Sequence, residues 1–360
     1  MQQNERAIRG CLLGIAVGDA MGYAVDGKTW NEICEDYGPN GLLGYDLANG
    51  AAEITSYTQI AAFVTNGLLL ATSRGKYDRL PRYLAMSLRE WSKSQQFRGV
   101  AEKTYCWVAQ VSYMRRRLCM DTRLLDALAR EQLGTPEQPV FRSDSPSVLT
   151  AAVAVGLLYD PEKMRREQLC RLGAHAVAFT HGEAEAFLAG AVLACGIAEL
   201  LQNPDKPVGA VFMEAAQFVE EQLPMTGIEA VIRGIETAIS YAEDPELSPL
   251  AALSMLGCTT AVECLAGAIY CAAVHPGNFD EGMISAVNHS GRSCAVGALT
   301  GAILGAKLGA EALPEFYLES LEAAEVLSEL AEDVVRQRQL MNMFDDDWDQ
   351  KYSYGKPVNS

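Results

Sequence analysis

Helical periodicity, with almost no strand pattern to compete with it, is the feature that most limits what this chain can fold into. Apolar residues recur at helix-face spacing among good helix formers over approximate segments 4–22, 56–73, 80–93, 99–117, 122–131, 146–158, 162–178, 182–202, 208–222, 227–242, 248–273, 280–288, 293–308 and 314–337. Proline falls mainly where these segments begin or end, as at Pro81, Pro136, Pro161, Pro204, Pro224 and Pro314. Small residues at Gly297, Gly301, Ala302, Gly305 and Ala306 give the 293–308 segment an apolar face on which another helix can approach closely. The expected class is all-α. No Pro/Ser-rich linker, low-complexity run or 20–50-residue repeat interrupts the pattern. With 360 residues and 49% hydrophobic content, a single helical domain over 1–340 with a C-terminal tail over 341–360 is expected.

A formal charge of -17 argues against nucleic acid or an anionic membrane as bulk partners, because those require a basic face. The one tight basic run, Arg115-Arg116-Arg117, reads as a solvated helix end, and the acidic stretch Asp345 to Asp349 as a solvated, frayed terminus. Ten cysteines are scattered through apolar stretches and never form C-x-x-C, the pattern of buried thiols in a reducing compartment. Arg6 and Arg9 precede a short apolar run that mimics a signal peptide, but Asp19 cuts it short. No uninterrupted apolar stretch reads as a membrane span, and the expected location is the cytoplasm.

Two separated phrases carry the functional information. Near the N-terminus, Gly14-Ile15-Ala16-Val17-Gly18-Asp19-Ala20-Met21-Gly22 leads to Asp26 and then to Thr55-Ser56-Tyr57-Thr58 at the start of an apolar helix. Late in the chain, Ala286-Val287-Asn288-His289-Ser290-Gly291-Arg292-Ser293-Cys294-Ala295 opens another. Thr180-His181 lies between them at a helix boundary. In this order the phrases resemble the ADP-ribosylglycohydrolase family, in its dinitrogenase reductase-activating glycohydrolase-like form. There a G-x-x-x-G-D-A-x-G helix, a T-D-D-T helix start and a late G-G-D-T-D-T helix start surround a two-magnesium site. The resemblance implies a compact orthogonal helical bundle and a cleft where these phrases meet.

It also implies that the ligands have been exchanged. Ser56 and Tyr57 correspond to the paired T-D-D-T aspartates, Arg292 and Cys294 to the two late aspartates, and Ala295 to the hydroxyl residue after them. Asp26 stands where the family usually has Glu. Thr55, Thr58 and Ser293 remain as neutral oxygen donors. Magnesium is a hard cation that takes six oxygens, commonly including carboxylates, so a set this poor in carboxylates with an arginine added implies no catalytic metal. The family's glycine-rich N-G-x-A-M-R phrase corresponds to Arg142-Ser143-Asp144-Ser145-Pro146-Ser147-Val148, where Ser145 or Ser147 can cap the following helix.

Individual residues keep two readings. Arg292 is either an internal cation paired with Asp26, Asp19 or Glu53, making a buried pair costly to break, or a helix-terminal residue facing water. Tyr57 either stacks on a bound ribose or adenine or fills the vacated volume. His181 either contacts a ligand or is a satisfied neutral histidine, and Asp19 is structural. The expected cleft comprises Thr55, Ser56, Tyr57, Thr58, His181, Ser290, Gly291, Arg292, Ser293 and Cys294. Three functions follow. The first is a catalytically silent protein that binds an ADP-ribose-like or nucleoside ligand, or an ADP-ribosylated protein. The second is a metal-independent glycosidase with Asp26 and Glu53 as its carboxylate pair. The third is a structural or interaction protein with a collapsed cleft.

Overall fold

A computed structural model describes residues 2–96, 104–339 and 346–352. Among these the chain is all-α, with isolated bridges but no strand. The N-terminal third contains α1 (Gln2–Tyr23), α2 (Trp30–Tyr37), α3 (Ser56–Ser73), α4 (Leu80–Gln96) and the short α5 (Thr122–Leu128). The middle is built from α6 (Leu149–Leu157), α7 (Arg166–Ala178), α8 (Ala184–Gln202), α9 (Val208–Gln222) and α10 (Ile228–Ala242). Then follow α11 (Pro249–Leu256), α12 (Ala261–Val274), α13 (Phe279–Val287), α14 (Ser293–Leu308), α15 (Glu315–Ser320), α16 (Ala324–Gln339) and α17 (Asp346–Tyr352).

The most extensive packing is between α1 and α14, which run antiparallel. Gly10, Gly14 and Gly18 face Gly305, Gly301 and Gly297, and Gly22 faces Ser293. A Cβ on any of these glycines would collide with backbone of the opposite helix. This four-residue repeat on both partners lets the two backbones touch, and it sets the C-terminal end of α1 beside the N-terminal end of α14. Against α14 also pack α12 and α13, while α3 packs against α4, α6 and α16. Every residue of α3 from Ser56 to Thr72 is buried, so its N-terminus cannot rely on water to satisfy its free N–H groups. By length and composition α8 could cross a membrane, contrary to the sequence expectation, but 83% of its apolar window is buried inside the structure.

Several expected segments are broken, each for a visible reason. In place of a helix over 99–117, the described part from Thr104 onward has only 3-10 turns at Trp107–Gln110 and Tyr113–Arg115. Side chains of α3 and α4 take its backbone groups: Glu90 accepts from Tyr105 N and Cys106 N, Asn66 from Val108 N, and Gln59 donates to the Tyr113 and Arg116 carbonyls. The 248–273 segment divides at Gly257 (φ 87°) and Cys258 (φ 52°), and Thr260 with Glu263 starts α12 as a capping box. The 314–337 segment divides at Leu321, where Ala52 N donates to the Ser320 carbonyl and Glu322 accepts from Ile54 N at 2.8 Å.

Two surface readings are also corrected. Arg116 is no solvated helix end, since its guanidinium bridges Glu53 at 2.5 Å and Glu322 at 2.7 Å. The acidic terminus is not simply solvated either: α17 buries Trp348 and Tyr352, and the Tyr352 hydroxyl donates to Asp333 at 2.7 Å. Asp345 lies outside the described residues.

Candidate functional site

The close approach of α1 and α14 places two carboxylates at two helix N-termini. Asp19, in the last turns of α1 and 0% exposed, turns to α3. Its Oδ2 accepts from Thr55 N at 2.8 Å, Thr58 N at 3.1 Å and the Thr58 hydroxyl at 2.5 Å, and its Oδ1 from the Thr55 hydroxyl at 2.5 Å. Thr55, the N-cap residue, also accepts from Tyr57 N at 3.4 Å. Burial pushes the Asp19 carboxyl up to about 6, with the four donors pulling the other way. Thr55 and Thr58 are therefore oriented by Asp19, with their hydroxyl protons committed to it.

Asp26 occupies the equivalent place beside α14. Its Oδ1 accepts from Cys294 N at 3.1 Å, and its Oδ2 lies 3.4 Å from Arg292 Nη1 and 3.2 Å from Cys119 Sγ. The side chain of Asp26 is 10% exposed and that of Arg292 43%. Arg292 thus does pair with Asp26, but as a half-exposed pair at the N-terminal end of α14. Partial burial works against its guanidinium, yet the neighbouring Asp26 carboxylate holds its pKa above the ordinary value. The Arg292 N–H donates to the Cys258 carbonyl at 2.9 Å, so the break between α11 and α12 sets the start of α14.

The segment after the 3-10 turns meets this pair through Cys119. Ser56 Oγ donates to the Cys119 carbonyl at 2.9 Å and Ser56 N to the Leu118 carbonyl. Cys119 is half-buried with a left-handed φ of 45°. Tyr57, 4% exposed, lies among Asp26, Cys119, Cys294 and Cys264, and burial followed by the Asp26 charge raises its phenol well above the usual range. Its carbonyl accepts from the Thr150 hydroxyl at 2.8 Å, tying α3 to α6. Cys294 is fully buried, and burial lifts its thiol well above the ordinary value.

Other expected residues are committed elsewhere. Ser293 Oγ donates to the Val287 carbonyl, Ser290 Oγ accepts from Trp30 N at the start of α2, and the Gly291 carbonyl accepts from Gly27 N. Glu53 is bound to Arg116 and belongs to the α3 support. His181 is buried, with Nε2 3.1 Å from Ser147 Oγ and Nδ1 2.8 Å from Thr180 Oγ1. Burial lowers its pKa to about 4, the Asp121 carboxylate opposing, so the ring is neutral at neutral pH. Neither Ser145 nor Ser147 caps α6; Val148 holds that position without a side-chain bond. The residue that sequence reasoning missed is Cys119. No motif marks it, because its place depends on the side chains of Gln59, Asn66 and Glu90 unwinding the segment that leads to it.

Among known proteins, the family model described as ADP-ribosylglycohydrolase matches residues 1–342. A solved structure titled "ADP-ribosylglycohydrolase-related protein complex" is similar at 22% identity and a TM-score of 0.55, covering 94% of this chain and 99% of that one. A comparison with curated proteins returns no match.

Proposed function

Because this chain belongs to the ADP-ribosylglycohydrolase family, we propose that it is a catalytically silent, ligand-binding or regulatory relative whose cleft does not fit the family's magnesium ions. The observation that carries this reading is the Asp26–Arg292 pair at 3.4 Å. The Asp26 carboxylate already has a cation beside one oxygen and a helix N-terminus on the other. Asp19 has both oxygens taken by Thr55 and Thr58. Ser56 is bonded to the Cys119 carbonyl, and Tyr57 and Cys294 are neutral at physiological pH. A six-oxygen octahedron has too few anionic oxygens here, and because a hard ion does not draw on the thiols, Arg292 cancels the single charge that Asp26 could offer it.

A metal-independent glycosidase would need two free carboxylates, and the engagement of Glu53 by Arg116 argues against that pair. The fitting ligand class is ADP-ribose-like or nucleoside, free or on a modified protein, bound in a cytoplasmic setting that ten free thiols support. Calorimetry with ADP-ribose, with and without magnesium, tests the reading alongside an assay for release of ADP-ribose from a modified protein. Binding that is indifferent to magnesium, with no release, is the expected outcome. Magnesium-dependent release would overturn it, and no binding at all would favour a collapsed cleft filled by Tyr57.

A further inference from the structure

We propose that Asp26, Cys119 and Cys294 form a binding site for a thiophilic divalent cation of the zinc class. The three come from distant parts of the chain, yet their ligand atoms all lie within 4.8 Å of one another. Cys119 Sγ is 3.2 Å from Asp26 Oδ2. Zinc–sulfur bonds of about 2.3 Å and zinc–oxygen bonds of about 2.1 Å in a tetrahedron place neighbouring ligands about 3.6–3.8 Å apart, so small side-chain rotations suffice. Two sulfurs and one carboxylate select a borderline-soft ion over magnesium. This rests on the reading that magnesium is not the ion of this cleft.

The surroundings orient the ligands as a metal site requires. Asp26 Oδ1 is fixed by the Cys294 N–H, which leaves Oδ2 toward the thiols. Ser56 bonds to the backbone of Leu118 and Cys119 and so holds Cys119 at a left-handed φ that a non-glycine residue rarely adopts. Charge closes as well. A divalent ion bound by two thiolates and a carboxylate leaves a single negative charge, and the Arg292 guanidinium beside Oδ2 meets it. Binding displaces both thiol protons to solvent: the cation, two thiols and a carboxylate become one complex and two released protons. The half-buried Cys119 and Arg292 leave a route for the ion and a fourth position for water.

The reduced full-length chain, kept in a phosphine reductant, is titrated with cobalt(II) as a spectroscopic substitute for zinc. A sulfur-to-cobalt charge-transfer band saturating at one ion per chain, two protons released per ion, and displacement by zinc but not magnesium are expected. Cys119→Ser should lose about half of the band intensity, and Asp26→Asn should keep the band while weakening binding at least about tenfold. Cys264→Ser, buried beside the cluster, should titrate like the parent chain. Circular dichroism on each variant confirms that it is folded, and the half-buried Cys119 is the substitution that least threatens the core. Absence of the band, or a band unchanged in Cys119→Ser, overturns the proposal. A chain that binds ADP-ribose without magnesium yet takes no cobalt would sink this inference and leave the proposed function standing.

Discussion

Asp19 and Asp26 leave the same helix end seven residues apart, and each reaches the N-terminus of a different helix. Asp19 meets two N–H and two O–H donors and is sealed from water. Asp26 meets one N–H, a thiol and a half-exposed guanidinium, and is not fully sealed from solvent. A carboxylate whose acceptor sites are filled by the fold is structure; one filled by groups that can move or lose a proton is a site. The same pairing of carboxylate and helix start therefore serves stability at α3 and ligand chemistry at α14.

The contrast predicts unequal consequences. Asp19→Ala strands the Thr55 and Thr58 donors in the core and should cost about 3–5 kcal/mol in urea unfolding; a loss below that of Asp26→Ala would reverse the assignment. Gly18→Ala adds a methyl against the Gly297 carbonyl and should cost about 2–3 kcal/mol. It spreads α1 from α14, so the Asp26 cluster should loosen with it, and cobalt binding that survives intact would separate the two.

The pH response sharpens the comparison further. A carboxyl raised to about 6 in the fold binds a proton more tightly there than in the unfolded chain. Its contribution is present at about pH 4 and lost as pH rises through about 6, at most about 1.4 kcal/mol per pH unit. His181 and His289, both lowered to about 4 by burial, act in the opposite sense over the same window. The stability difference between the parent chain and Asp19→Asn, measured from pH 4 to 7, isolates the Asp19 contribution and should shrink as pH rises; a flat difference would show that the four donors outweigh burial. The smallest effect is expected for Arg292→Ala. At 43% exposure the pair should be worth under about 1 kcal/mol, well short of a buried pair, and a loss above 3 kcal/mol would show that Arg292 is buried in solution.

Much of the fold was legible because it rests on periodicity. The 293–308 segment coincides with α14, and 56–73 with α3, since both are apolar helices bounded by clear starts. The segments that failed did so where a helix-period pattern was overridden from outside. Glu90, Asn66 and Gln59 take the backbone of 104–116, and nothing local announces that. The glycine repeat on α14 was visible as a small-residue face, but its partner on α1 was settled only by the packing.

The sequence by itself determined the all-α class, the family, and which residue types stand at the two helix starts. Those follow from local spacing and from order along the chain. Only the tertiary structure decided that Asp19 is consumed by Thr55 and Thr58 while Asp26 remains between Arg292 and two thiols. It alone brought Cys119 to that cluster and turned Glu53 to Arg116. The physical reason is that a carboxylate's role depends on which donors fill its lone pairs, and those donors come from segments tens to hundreds of residues away.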